Sequence, residues 1–362
     1  MAGQTTGYPA RYNPNQLQFE SRTWNDLNRD DIAQDNEIGA PVNARFGQPV
    51  ATIRPDDLER EYDWVYNAGV QHEVRPGLAV TANWYRRSVH DLRQSQNIAI
   101  SLNDYTPVSI FNPLNGETLT VYNLNAAQRG LVDRVDRTST DSDLRSRVFN
   151  AAELGFNARF GKGSAFGGYT IHRLIEVECD GTNELITVGA TTDARGPGYV
   201  TDPNTFRFCD DRALDIPFRH ELKFAGSYTV WGGVQVNAAF QSYTGATTGV
   251  NWTITPALNY PANCAAPCPV GQRVIPNMTL PTLVVQLVAP GTTFLPRHNQ
   301  LDFGVRKLFR LRGMQVSGQA DVFNINNSSR INAETQAFGP SLGRPSAILQ
   351  PRTLRLAAQM RF

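Results

Sequence analysis

The eleven C-terminal residues, 352–362, alternate apolar and polar side chains and end on an aromatic residue. Successive side chains of a β-strand point to opposite faces of the sheet, so this segment would have one apolar and one polar face. The apolar face would carry Leu354, Leu356, Ala358, Met360 and Phe362, and the polar face Thr353, Arg355, Gln359 and Arg361. One face suits lipid and the other suits water, which is typical of a membrane-barrel strand.

The same period of two recurs upstream, where it predicts four hairpins with tight turns. Each hairpin joins two alternating segments through a short stretch that contains glycine. The paired segments are 62–74 with 78–84, 148–160 with 165–177, 219–230 with 234–241, and 300–306 with 314–322. Together with the terminal segment, the pattern predicts nine antiparallel strands.

Long connections, at 91–145, 178–216, 247–296 and 326–349, separate these hairpins. In a compact soluble domain, several structureless connections of this length would argue against the strand assignment. An outer-membrane barrel has short periplasmic turns and long extracellular loops as a rule. The pattern therefore predicts an all-β fold, an antiparallel up-and-down transmembrane β-barrel. Its strands and long extracellular loops would occupy 61–362, after an extracellular loop segment at 1–60.

A soluble β-sandwich is the alternative interpretation, because any antiparallel sheet can have one apolar and one polar face. Sandwiches usually have short loops at both ends and cores rich in branched aliphatic residues. Here the apolar face carries many aromatic residues, several of them near strand ends, where the aromatic girdles of a membrane barrel lie. They are Trp64, Tyr66, Trp84, Phe156, Phe224, Tyr228 and Phe240. This aromatic content favours the barrel.

Composition changes this picture little. The 34 basic and 33 acidic residues give a net charge of +1, which does not suggest a nucleic-acid partner. No segment approaches the roughly 18 to 20 apolar residues of a membrane helix, but a spanning strand needs only about 9 to 11 residues, half of them apolar. The N-terminus lacks the basic and apolar regions of a signal peptide. Either the chain is cytoplasmic or its true beginning is missing.

Four segments are characteristic: Tyr-Asp-Trp-Val-Tyr-Asn-Ala-Gly-Val-Gln-His-Glu at 62–73, Arg-His-Glu-Leu-Lys at 219–223, Asp-Val-Phe-Asn-Ile-Asn at 321–326, and the final Phe362. In them the chain resembles the C-terminal half of the TonB-dependent outer-membrane receptors, and the resemblance covers nearly the whole chain, from about Thr23 onward. The resemblance implies a 22-stranded barrel closed by a plug domain. About nine to ten of those strands are visible, and no plug domain or TonB-binding segment is. The chain is therefore expected to be the C-terminal portion of such a receptor, with two unpaired sheet edges.

The same resemblance implies a function in the cell outer membrane, where the intact protein would bind and import a scarce solute in a TonB-dependent way. Members of the family transport siderophores, cobalamin or saccharides. The implied partners are the lipid bilayer, the plug domain and TonB in the intact protein, and the outer-membrane assembly machinery, which engages the C-terminal strand. A passive porin or adhesin-like barrel and a soluble β-sandwich binding module remain the alternatives.

The polar faces of the later strands would line the barrel lumen with mixed charges. The predicted lumen residues are Arg219, Glu221, Lys223, Gln235, Asn237, Gln241, Asp302, Arg306, Gln319, Asp321, Arg355 and Arg361. The sequence has no nucleophile elbow, phosphate loop or Ser/His/Asp order, so we expect no enzyme activity. The histidines lie on different segments and are expected to be interfacial rather than ligands. They are His72, His90, His172, His220 and His298.

The four cysteines form two pairs that are close in sequence, each in a polar stretch within a long connection. We expect disulfides between Cys179 and Cys209 and between Cys264 and Cys268 rather than free thiols, which presumes an oxidising compartment. The spacing of the second pair also occurs in metal sites, but nearby histidines are lacking.

Residues 26–37 have the ligand spacing of a calcium-binding loop. Oxygen-bearing side chains lie at loop positions one, three, five and twelve, with a backbone carbonyl at position seven. The candidate ligands are Asp26, Asn28, Asp30, Ile32 and Glu37. Asp31 replaces the glycine of position six, and no flanking helices are evident, so a solvated acidic loop is the alternative. No other cofactor is expected.

Overall fold

The computed structural model describes residues 22–30, 33–41, 53–55, 58–129, 131, 134–139, 141–179, 203–311 and 313–361. Strands dominate these residues, and short 3-10 helices lie at Leu102–Asp104, Ala126–Gln128, Pro203–Phe208, Asp211–Ala213 and Trp231–Gly233. The described part of the chain contains no helix that is long and apolar enough to cross a membrane. The strands are β1 (Arg22–Trp24), β2 (Ile38–Pro41), β3 (Ile53–Pro55), β4 (Tyr62–Arg75), β5 (Leu78–His90), β6 (Leu92–Asn97), β7 (Tyr105–Phe111), β8 (Thr118–Leu124), β9 (Arg134–Ser139), β10 (Arg145–Phe160), β11 (Gly163–Glu178), β12 (Arg219–Thr229), β13 (Val234–Tyr243), β14 (Thr247–Thr248), β15 (Asn251–Ile254), β16 (Leu283–Gln286), β17 (Thr293–Phe294), β18 (His298–Leu311), β19 (Met314–Phe323), β20 (Ile331–Glu334), β21 (Pro345–Ile348) and β22 (Thr353–Arg361).

One sheet of nine strands contains all nine predicted segments. Its order is β22-β19-β18-β13-β12-β11-β10-β5-β4, so every strand pairs with its neighbour along the chain among these nine, and every pairing is antiparallel. The predicted all-β, antiparallel up-and-down arrangement is confirmed. The prediction of a 22-stranded barrel is not tested, because β4 and β22 are the two sheet edges and no described strand closes the sheet.

Short turns and long connections alternate along this sheet as predicted. The turns after β4, β10, β12 and β18 lie at one end, and the long connections at the other. The turn at Gly77 shows why glycine is needed there. Its φ is +83°, and a Cβ atom would lie 2.6 Å from the carbonyl oxygen of Arg159 on the neighbouring hairpin. A residue with a side chain would be strained and would displace that hairpin.

The two faces of the sheet differ sharply. One row of paired residues on the first face crosses eight strands without a polar side chain, and we call this the apolar face. The row consists of Leu354, Val322, Phe303, Ala238, Gly226, Ala165, Ala158 and Leu78. The seven aromatic residues predicted for this face lie on it in the observed register. Their shared face confirms the predicted period.

The apolar face is not covered by a second sheet. Leu354, Leu356 and Met360 are 62%, 73% and 61% exposed. A sandwich buries this face in its core. Among the described buried hydrophobic residues, only Val89, Ala151 and Val177 belong to the nine strands. The sheet thus has no core of its own, which argues against the sandwich interpretation.

The apolar core lies instead in the long connections, where the sequence pattern predicted only loops. The β7–β8 hairpin of the first connection packs on β15, β16 and the Cys264–Cys268 segment of the third. We call this assembly the loop layer. Its buried members are Ile110, Leu119, Val121, Trp252, Ile254, Tyr260, Val274, Ile275, Met278, Leu283, Val285 and Leu287.

The other two long connections also contact the loop layer. Asn204 of the second connection bonds both the N–H and the carbonyl of Tyr122, which extends the β8 edge. In the fourth connection, the Phe338 N–H donates to Asn251, and its ring packs on Trp252. All four long connections therefore fold together.

Both predicted disulfides are confirmed. Cys179 is bonded to Cys209, and Cys264 to Cys268. The first bond ties the end of β11 to the second connection, and the backbone N–H of Glu178 also donates to the Cys209 carbonyl. The second bond closes a short loop in the layer. Covalent links of this kind restrict the unfolded chain and so stabilise small folded units.

The N-terminal part, 1–60, contains β1 paired with β2, and β3 paired in parallel with β9. Its predicted role as an extracellular segment stays a prediction. The terminal Phe362 and the calcium-loop residue Ile32 lie outside the described residues.

Replacing Ile254 by alanine should loosen the loop layer without opening the sheet. Ile254 is fully buried at 0% exposure, so the smaller side chain leaves a cavity that costs about 2–5 kcal/mol. Hydrogen exchange should accelerate in β7, β8, β15 and β16 but not in β10 or β11. Ile98→Ala, at a position 43% exposed, is the matched control. Equal exchange in both variants would contradict a single cooperative core in the loop layer.

Candidate functional site

The polar face of the nine-stranded sheet is the candidate functional surface. One row of directly paired residues crosses seven strands, and it consists of Gln71, Thr81, Gly155, Gly168, Lys223, Gln241 and Gln300. A second row consists of Arg355, Asp321, Gly304, Asn237, Ser227, Ser164 and Arg159. All twelve predicted lumen residues lie on this face. The register thus assembles one continuous hydrophilic wall from residues that are far apart in sequence.

A groove of about 760 Å³ lies along this wall, between β4 and β18. Its floor is low where Gly155 and Gly168 are paired across β10 and β11. A Cβ atom at Gly155 would lie 2.5 Å from Oγ1 of Thr81 on the next strand. Ala79, Ala225 and Ala239 also line the groove. Small residues on several neighbouring strands therefore create the space.

The ring of Phe166 lies in this polar surrounding. Phe166 pairs with Asn157 on the polar face and lines the groove, and it is 58% exposed. Glu153, Thr170 and Gln241 line the same groove. An exposed ring beside carboxylate, hydroxyl and amide groups can stack on a flat apolar surface while its neighbours make hydrogen bonds.

A charged cluster borders the groove on β11 and β12. The Lys223 ammonium lies 3.1 Å from one carboxylate oxygen of Glu221, and the His172 ring nitrogen lies 3.7 Å from the other. Both Glu221 and Lys223 line the groove. Since Glu221 and Lys223 are partly exposed, their ion pair contributes little to stability, and its main effect is to place both signs of charge on the wall.

An ion pair on the polar face links the C-terminal strand, β22, to β19. Arg355 donates through Nε and Nη2 to one carboxylate oxygen of Asp321, at 3.0 and 2.7 Å. Gln319 donates to the same carboxylate, which is 5% exposed. Gly304 lies between Asp321 and Asn237 in the row, and both side chains lean over it. The carboxylate therefore has donors on β19 and β22.

The long-connection end of this wall is shaped by Asn324, which is 2% exposed. Its backbone N–H donates to Asp302, and its side chain bonds Ser328 and Gln350. With a φ of +51°, Asn324 turns the chain out of β19, a conformation that asparagine tolerates. The Asp-Val-Phe-Asn segment thus supplies one residue of the polar face, Asp321, and one turn residue, Asn324.

The first of the predicted lumen residues along the chain is Arg219. The prediction therefore missed the part of the polar face that β4, β5, β10 and β11 form. Glycine carries no side-chain signal, and Phe166 is apolar on a polar face. The alternation of Gln71 and Glu73 with apolar neighbours was the available signal for β4.

The predicted calcium loop connects β1 to β2, and its ligands are engaged with their own loop. Glu37, 5% exposed, accepts hydrogen bonds from Trp24 Nε1 and from the N–H groups of Leu27 and Gln34. Burial opposes ionisation of Glu37, but these bonds outweigh it, so the pKa of Glu37 is lowered from its usual value of 4.5.

The remaining described calcium candidates lie in the same turn. Asp26 accepts from the N–H groups of Arg29 and Asp30, and Asn28 donates to Asp30 at 3.0 Å. The described residues contain no group of three or more His, Cys, Asp or Glu side chains placed to hold a metal ion. Calcium binding in this loop stays a prediction.

Comparison with known proteins gives one family and several structures. The family model "Outer membrane beta barrel domain" matches residues 2–355, which confirms the predicted outer-membrane location. No curated protein matches the chain. The outer membrane transporter YddB from Escherichia coli is similar with 12% identity and a TM-score of 0.40, over 87% of this chain and 35% of that one. The siderophore receptor PirA from Acinetobacter baumannii has 12% identity and a TM-score of 0.39, over 84% and 32%. The chain thus spans about a third of these structures.

Calcium should raise the melting temperature if the loop binds it. We expect an upward shift on adding millimolar calcium, reversed by chelator, in scanning calorimetry, because an ion that binds only the folded state stabilises it. Asp30→Asn should abolish the shift, whereas Asp35→Asn, at a loop position without a proposed ligand role, should keep it. No shift in the unmodified protein would remove calcium from consideration.

Replacing Arg355 by glutamine should loosen β22. The substitution leaves the buried Asp321 carboxylate without its charged partner, at a cost of about 1–3 kcal/mol. Hydrogen exchange of the β22 amides should therefore accelerate. Arg361→Gln, on the same strand and face, is the control. The double variant Asp321→Asn with Arg355→Gln should recover part of the loss, and an equal loss there would show that the charge is not the cause.

Proposed function

Because this chain belongs to the outer membrane beta barrel domain family, we propose that it forms the C-terminal wall of a TonB-dependent receptor that imports a scarce solute. Its apolar face would contact the bilayer, and its polar face would contact a plug domain and the solute. The assembly machinery would engage β22. The function is binding and transport rather than catalysis.

The groove on the polar face is the observation that carries this proposal. It combines an exposed aromatic ring, Phe166, with both signs of charge at Glu221 and Lys223, above a floor of paired glycines. A wall that only bordered a water-filled pore would need polar side chains but no recess. A recess with an aromatic platform and convergent polar groups is typical of a surface that binds a compact polar molecule or a loop of a second domain.

The loop layer supports the same function. The first and third connections share one apolar core with a disulfide-bonded loop at the proposed extracellular end of the strands, and the other two connections contact it. Ordered loops restrict entry and present fixed contacts to a solute, whereas flexible loops would do neither. A passive porin or an adhesin-like barrel is the second candidate, and the loop layer, as a folded extracellular surface, fits the adhesin equally well.

Filling the groove should block uptake. Ala239 lies on the groove and Ala238 on the apolar face, so Ala239→Trp and Ala238→Trp place the same ring on opposite sides of β13. In the intact receptor, Ala239→Trp should reduce uptake by about tenfold or more, because the indole ring would occupy the groove and a loss of about 1.4 kcal/mol of solute binding free energy is a tenfold loss of affinity. Ala238→Trp should leave uptake unchanged. The probes are a labelled ferric siderophore, cobalamin and a maltooligosaccharide, each measured with and without TonB.

Three outcomes contradict the proposal. Uptake that persists without TonB, or that responds equally to both tryptophan variants, excludes a TonB-dependent site in the groove. Steady ion conductance in a planar bilayer indicates an open porin. Failure of all three probes to enter, with normal assembly in the membrane, favours the adhesin-like alternative.

A further inference from the structure

Acidic side chains avoid the apolar face completely within the nine-stranded sheet. Each aspartate and glutamate of these strands lies on the polar face in the observed register. They are Asp63, Glu73, Glu153, Glu176, Glu178, Glu221, Asp302 and Asp321. Basic side chains do not follow this rule, because Arg86 and Arg173 lie on the apolar face. The strands thus offer positive but no negative charge to the membrane side.

Arg86 and Arg173 belong to one row. Tyr66 pairs with Arg86, Arg86 with Asn150, and Asn150 with Arg173. Arg86 Nη1 donates to the Asn150 side-chain oxygen at 3.1 Å. The Arg173 guanidinium lies 4.4 Å from the centre of the Phe218 ring. Two guanidinium groups therefore flank one amide on the outer surface.

The depth of this row follows from strand geometry. Phe160 and Tyr228 stack at the short-turn end with ring centres 6.3 Å apart, where a periplasmic girdle would lie. Asn150 precedes Phe160 by ten residues on β10. At about 3.4 Å per residue and a tilt of about 35–45°, the row is roughly 25 Å higher, which is about the height of the apolar band. The row therefore lies at the outer edge of the bilayer.

The apolar positions below the row agree with this depth. Along β10, the same face carries Ala152, Leu154, Phe156 and Ala158 between Asn150 and Phe160. Trp84, in the row directly below Arg86, is 44% exposed, as a ring of the interfacial belt would be. The two arginines are thus the first charges above the hydrocarbon region.

The Arg173 side chain contains a hydrogen-bond donor, Nε, that lacks an acceptor among the described residues. The burial of Nε shields it from an anion outside, so a phosphate would bind the two terminal amino groups of the Arg173 guanidinium. Guanidinium groups bind phosphate through paired N–H donors, and the Asn150 amide adds a further donor between them.

We propose that Arg86, Asn150 and Arg173 form a binding site for the phosphate monoester of an outer-leaflet lipid headgroup. The headgroup phosphate lies between the two guanidinium groups, and its acyl chains lie along the apolar row that contains Trp84 and Ala152. A membrane lipid is favoured over a soluble phosphate because the site opens on the apolar face, at headgroup level. The proposal depends on the outer-membrane location and not on solute import.

The test uses the full chain in detergent, with binding measured by native mass spectrometry. The probes are lipid A with both phosphates, the same lipid after removal of both phosphates, and inorganic phosphate as competitor. The double variant Arg86→Gln with Arg173→Gln should bind the phosphorylated lipid about tenfold more weakly or worse, since hydrogen bonds to charged groups are lost. Lys307→Gln is the matched control, because it removes one positive charge from the same face at the short-turn end.

Three further measurements distinguish the effect of charge from that of guanidinium geometry and from loss of folding. The double variant Arg86→Lys with Arg173→Lys should bind with intermediate strength, because lysine keeps the charge but not the planar fork. Melting curves of all variants should coincide, which establishes that each is folded. The dephosphorylated lipid should bind weakly and equally to the unmodified chain and to the glutamine variant.

Three results would overturn the proposal. One is unchanged binding of the phosphorylated lipid by the glutamine variant, and another is equal binding of both lipids by the unmodified chain. The third is displacement of the lipid by millimolar inorganic phosphate, which would assign the site to free phosphate.

Discussion

Backbone hydrogen bonding in a medium without water is the constraint on which this structure depends. An unpaired N–H or carbonyl group in hydrocarbon costs several kcal/mol, so each spanning strand must pair with its neighbours along its length. β10 and β11 meet this requirement residue by residue, from Arg145 opposite Glu178 to Phe160 opposite Gly163. Such uninterrupted ladders fix the register, and the register sorts side chains into a lipid face and a water face.

The same constraint moves the apolar core out of the sheet. A strand whose apolar side chains face lipid has none left to bury against a second layer, so the nine strands supply few buried hydrophobic residues. The long connections are in water and must bury their own apolar side chains. They do so jointly, with Trp252 and Ile254 from one connection packed on Ile110 and Val121 from another. Two disulfides stabilise a unit that is small for an independent core.

The sequence predicted what depends on neighbours along the chain. The strand period, the tight turns and both cysteine pairings were visible because each involves residues close in sequence or a repeated local pattern. The loop layer was not visible, because its contacts join distant parts of the chain. Asn123, for example, accepts a hydrogen bond from Thr279, more than 150 positions away. The sequence of the β7–β8 hairpin also does not distinguish it from any other short hairpin. The groove was missed for a different reason. Its depth comes from Gly155 and Gly168, whose role depends on which residues the register places beside them.

Residues that break the alternation of apolar and polar side chains are informative. The backbone hydrogen bonds fix which face each residue occupies, so an apolar ring on the polar face or a charge on the apolar face costs free energy. Phe166 exposes an apolar ring on the face that meets water, and Arg86 and Arg173 place charge on the face that meets lipid. Phe166 is largely exposed, and Arg173 has its ring contact with Phe218 but no hydrogen-bond partner for its buried Nε among the described residues. A residue that costs free energy in the isolated chain is stabilised when something binds it. Phe166 and Arg173 lie on opposite faces of β11, and Arg86 lies two strands away on β5, so the proposed contacts with a solute and with a lipid headgroup are separate.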